Sequence, residues 1–241
     1  MKSISYTEKV IYSGAIVLAI LVYVITVQQN PIFEIAALRL ARSFALISFG
    51  LLFLSLVASP LYKAFPEVPG KPWFTKAAKS FGISAFFFAL LHAYYAFFKV
   101  LRGFEGLAYL SDRYLFSIII STASLAILAF LTAISFEYIS SKLGEKAKWL
   151  RQLIYIVAIL APLHALLIGS HFTSGDSLVG QVFIFLWLLL LLLQEIRFHQ
   201  YLTIKYPKVN TKITGTILIV LFSVIFYVVL LTDIFISHHH V

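Results

Sequence analysis

The chain has 241 residues, 61% of them apolar and 12% charged, with a net charge of +9 and a mean hydropathy of +0.96. That composition excludes a soluble domain and describes an all-α, polytopic membrane protein. There is no cysteine, which excludes disulfides, thiolate metal centres and cysteine catalysis.

Uncharged runs long enough to cross hydrocarbon as helices occur at Val10–Gln28, Ser43–Leu61, Ser80–Phe98, Tyr114–Phe136, Gln152–Ser170, Leu178–Gln194 and Ile213–Thr232. The first lacks a small-residue cleavage pattern and ends in Gln28, Gln29, Asn30 and Pro31, so it reads as a retained helix. The second has Arg42 at its outer end and closes on Ala58, Ser59 and Pro60. The third follows Lys79 and contains one imidazole, His92. The fourth follows Arg113 and is closed by Glu137. The fifth follows Arg151, contains Pro162 and His164, and precedes His171. The sixth contains Trp187 and is followed by Glu195, Arg197 and His199; the seventh precedes Asp233 and His238 to His240.

Fourteen of the nineteen Lys and Arg residues fall at the N-terminus or in alternate loops, among them Lys63, Lys71, Lys76, Lys142, Lys146, Lys148, Lys205, Lys208 and Lys212. The others are Arg39, Arg42, Lys99, Arg102 and Arg113. The positive-inside rule then predicts a cytoplasmic N-terminus and an outer C-terminus. The basic excess is a topology signal whose partner is anionic membrane lipid, with no nucleic acid implied. Loops under about twenty residues leave no room for a soluble catalytic domain. No glycine-rich phosphate loop follows a strand, so residues 1–241 are expected to form a single transmembrane domain.

His92 and His164 each lie six residues before the outer end of an uncharged run, on two helices predicted to run outward. At 1.5 Å per residue this places both roughly 10 Å below the outer boundary. Ala85, Ala89 and Ala96 share a helix face with His92, and Ala161 precedes His164 by three. Pro162 removes a backbone donor below His164. Three readings are open: interhelical packing, a proton relay in a transporter or structural bundle, or two imidazoles on opposite sides of a haem iron. A zinc site would need further ligands at that depth, and none is evident.

The stretches "KLGEKAKWLRQLIYIVAILAPLHALL" from Lys142 to Leu167 and "GKPWFTKAAKSFGISAFFFALLHAYYAFF" from Gly70 to Phe98 resemble the ferric-reductase-like transmembrane family. Within it, the likeness is greatest to haem-binding membrane subunits of bacterial periplasmic methionine-sulfoxide reductase systems. The resemblance covers about residues 40–172 and implies a six-helix core over about 40–200 in a bacterial or archaeal plasma membrane; the C-terminal helix expected over about 212–237 from its apolar run is extra to that core. It makes His92 and His164 the axial ligands of one outer b-type haem.

Two-haem members carry an inner histidine pair. Here Arg151 stands thirteen residues before His164, and Lys79 thirteen before His92, so the inner haem is expected to be absent. The resemblance implies FMN or FAD in its place, fed by a cytoplasmic flavin reductase or reduced flavin. Lys79 and Arg151 would then contact a flavin phosphate or serve as inner-boundary anchors. Arg42 and Arg113 would hold haem propionates or snorkel to the interface. His171 would touch a propionate, receive the outgoing electron or stand solvated. The implied acceptor is a periplasmic molybdopterin sulfoxide reductase, with ferric ion or oxygen as alternatives. No serine–acid arrangement for hydrolysis accompanies either histidine.

Overall fold

The structure is a computed structural model that describes residues 5–168 and 177–205. Every regular element among the described residues is helical. Six helices or helix pairs are long and apolar enough to cross a bilayer: Tyr6–Gln29, Phe33–Ala64, Lys71–Val100, Asp112–Ser135, Glu145–Ile168 and Leu178–Phe198. The chain is therefore an integral membrane protein. The expected seventh helix over about 212–237 lies outside the described residues, as do Asp233 and His238 to His240.

Helix α1 (Tyr6–Gln29) starts at a reciprocal cap: Glu8 N–H donates to Ser5 Oγ at 3.3 Å, and Ser5 N–H donates to Glu8 Oε2 at 2.9 Å. It stops before Pro31, where Asn30 turns extended and its Nδ2 donates to the Thr26 carbonyl at 2.7 Å. Its exposed Ile16, Val17, Ile20 and Leu21 are suited to lipid contact.

Helix α2 (Phe33–Ala64) has 32 residues, about 48 Å at 1.5 Å per residue, well over the roughly 30 Å of a hydrocarbon core. It begins ten residues before the uncharged run that marks it, because a charged side chain does not interrupt backbone bonding. Helix α3 (Lys71–Tyr94) follows Gly70, whose φ of 84° suits glycine, and has Pro72 in its first turn. It continues as a π-helical segment, Tyr95–Val100. Short α4 (Phe104–Leu107) leads to α5 (Asp112–Ser135), then α6 (Glu137–Leu143), α7 (Glu145–Leu150), a 3-10 turn (Arg151–Leu153), α8 (Ile154–Ile168) and α9 (Leu178–Lys205).

The chain divides into two compact units. The first comprises the described residues up to Ser55 together with Gly70–Pro162. Its α2 and α3 run antiparallel through small residues at heptad spacing. Ser48 Oγ donates to the Ala85 carbonyl at 2.8 Å, and Ala85 is fully buried. A Cβ on Gly82 would stand 3.0 Å from Ser55 Oγ, so glycine permits the approach there. Leu40, Phe44, Phe88 and Ala19 form the adjoining core, with the Phe44 ring 5.9 Å from Phe88 and 5.8 Å from Tyr95.

The second unit comprises Leu56–Pro69 and the described residues from Leu163. Pro60 lies inside α2 and cannot donate to the Leu56 carbonyl four residues earlier. Gln194 Nε2 donates to that carbonyl instead, at 3.4 Å. Trp187 is buried and stacks on Phe183 with centroids 5.5 Å apart, consistent with a packing role.

Candidate functional site

His92 stands near the end of α3, partly buried, and its Nδ1 lies 2.9 Å from the carbonyl oxygen of Ala41 on α2. A carbonyl oxygen only accepts, so Nδ1 is the donor in this bond. Ala41 is buried at 5% exposure, which shields the bond. The contact continues the α2–α3 register: Ala41 and Ser48 are seven residues apart on α2, and His92 and Ala85 seven apart on α3. The small strip beside His92 therefore has a second cause. Ala85 is spent on helix contact with α2, while Ala89 and Ala96 remain partly exposed.

Immediately after His92 the helix widens. Leu101 N–H reaches back five residues to the Ala96 carbonyl at 2.9 Å, and Gly103 N–H reaches back six to Phe97 at 2.8 Å. Such π-type turns inside α-helices occur frequently at functional sites. Arg102 follows at φ 61°, the sole non-glycine residue with positive φ among the described residues. Neither feature has a signature in the sequence around it. Lys99 Nζ sits between the rings of Phe33 and Tyr94, 5.8 and 5.7 Å from their centroids.

His164 lies on α8, partly buried, between buried Pro162 and buried Ala165 and Leu166. Pro162, two residues before His164 inside α8, has no N–H to donate to the Ala158 carbonyl. His92 belongs to the first unit and His164 to the second.

The remaining sequence candidates take these positions. Arg42 is exposed inside α2, nine residues past its start, where the sequence places it at a helix end. Arg113 is partly buried in the first turn of α5. Lys79 Nζ lies 3.7 Å from Glu8 Oε1, with side-chain exposures of 47% and 23%; an ion pair this exposed contributes about 0.2–1 kcal/mol. Arg151 Nη2 donates to Ser140 Oγ at 2.9 Å. His171 lies outside the described residues. Among the described residues no three His, Asp or Glu side chains gather as a metal-binding group.

Comparison with known proteins yields no matching family model and no matching curated protein.

Proposed function

We propose that the chain is a membrane cytochrome b, an electron-transfer subunit with His92 and His164 as the axial ligands of one b-type haem. The observation that carries this reading is the bond between His92 Nδ1 and the Ala41 carbonyl. Metal-binding imidazoles ordinarily donate their second nitrogen to a carbonyl or carboxylate, which sets the tautomer and raises the basicity of the other. His92 meets that requirement inside an apolar span, with Nε2 as the ligating atom. His164, two residues after Pro162 on α8, supplies the second imidazole of the reading.

Haem bound there would supply one-electron redox chemistry that the protein's own side chains lack. The residues' part is to orient the ring nitrogens, exclude water and balance charge. In the same reading Arg42 and Arg113, with His171, compensate the propionates. Reduced flavin or a cytoplasmic flavin reductase is the electron donor. Lys79 would exchange its Glu8 contact for an FMN or FAD phosphate, and Arg151 either does the same from Ser140 or serves as an inner-boundary anchor. The acceptor is on the outer face, a periplasmic sulfoxide reductase by resemblance, with ferric ion or oxygen as the alternatives.

A second reading draws on the same bond. As a link between α2 and α3, His92 would serve packing or proton movement in a transporter or structural bundle, worth about 1 kcal/mol. Low-temperature electron paramagnetic resonance of purified His92→Ala and His164→Ala separates the two. Loss of a low-spin haem signal in both, with the signal kept in Arg151→Gln, supports ligation; a normal low-spin signal in both histidine variants rules it out.

A further inference from the structure

Between Ser135 and Ile154, at the junction of two candidate spans, the chain folds into α6, a turn at Gly144 with φ 52°, α7 and the 3-10 turn. Connectivity puts this elbow at a membrane edge. Phe136, Tyr138 and Trp149 are exposed there at 58%, 70% and 68%. Side chains of this kind settle at the headgroup level, where an apolar ring body and a polar tip both find partners.

Interleaved with the rings are four exposed cations, Lys142, Lys146, Lys148 and Arg151, against two acids, Glu137 and Glu145. The elbow also has internal order. Lys142 Nζ donates to Tyr138 Oη at 2.6 Å. Arg151 is tied across to α6 through Ser140 Oγ at 2.9 Å. A guanidinium has five N–H donors and Ser140 engages one, so Arg151 is held in place with donors left for a phosphate.

We propose that the elbow from Phe136 to Arg151 binds the headgroup of an anionic phospholipid. Arg151, Lys146 and Lys148 supply the charge for its phosphate, while Tyr138 and Trp149 seat in the headgroup layer. Two observations select lipid over a free phosphate compound: the exposed rings need an apolar bed, and the elbow joins two membrane spans. The site is independent of haem ligation and takes none of its residues from the histidine pair.

The test is native mass spectrometry of the detergent-solubilised full chain with equimolar phosphatidylglycerol and phosphatidylcholine. Wild type retains phosphatidylglycerol preferentially, and Lys146→Gln/Lys148→Gln reduces that preference about fivefold per charge removed. Arg151→Gln reduces it further, while Lys71→Gln/Lys76→Gln, at the start of α3, changes it less than about twofold on the same scale. Lys146 and Lys148 are both exposed on α7, so their double variant carries the result if Arg151→Gln fails to fold. Absence of a wild-type preference overturns the proposal, as does an equal loss in the Lys71/Lys76 control. Displacement of the lipid by millimolar inorganic phosphate or FMN also overturns it, by assigning the elbow to a free phosphate compound.

Discussion

The imidazole of His92 and the backbone of Ala41 meet at 2.9 Å, so a histidine on α3 is oriented by a carbonyl on α2. Ligation and packing make different demands on that position. Packing needs only a donor to Ala41, whereas ligation also needs a basic ring nitrogen. His92→Gln retains an amide donor, so it is expected to keep thermal stability within about 1 kcal/mol of wild type while losing low-spin haem. Thermal unfolding and an absorption spectrum of the same sample read both. Full recovery of the spectrum by Gln would favour packing.

Gln194 and Pro60 form a pair linked through the Leu56 carbonyl. Gln194→Leu leaves that carbonyl without its side-chain donor in an apolar setting and is expected to cost about 1–3 kcal/mol. Pro60→Ala allows the helical bond to re-form, so Gln194→Leu should cost less in that background. A double-mutant cycle by thermal or denaturant unfolding measures the coupling; strict additivity would contradict the pairing.

Gly82 sets how closely α3 approaches Ser55. Gly82→Val is expected to destabilise by about 1–3 kcal/mol through overpacking, and Ser55→Ala in the same chain should recover part of the loss. Comparison of the two melting temperatures checks it.

Arg102 is exposed at φ 61°, in the left-handed region where a side chain costs about 1–2 kcal/mol. Arg102→Gly is expected to raise the melting temperature slightly, since part of the relief is returned as chain entropy. A marked drop would show that the Arg102 side chain does more than tolerate the turn.

The six described spans are legible in the sequence because membrane helices are specified by unbroken apolar length, a property visible residue by residue. Helix ends are less so. The run ending at Gln28 is closed by Asn30 and Pro31, and α1 stops there, whereas α2 begins ten residues before its run and passes through Arg39 and Arg42. His92 and His164 stand out as isolated imidazoles. The Ala41 carbonyl cannot be read in the same way, since every residue has one and only the α2–α3 register selects it. Gln194 has a partial signal: Pro60 leaves a carbonyl that requires a donor, but the sequence does not say which residue supplies it. The π segment after His92 has none, because "YAFFKV" is equally compatible with an α-helix.

A dithionite-reduced minus oxidised absorption spectrum of the purified wild-type chain tests most directly the proposal that His92 and His164 hold one haem. The account predicts a sharp b-type spectrum at about one haem per chain. A colourless protein that also fails to take up added haem would contradict it and assign His92 and His164 to packing or proton movement.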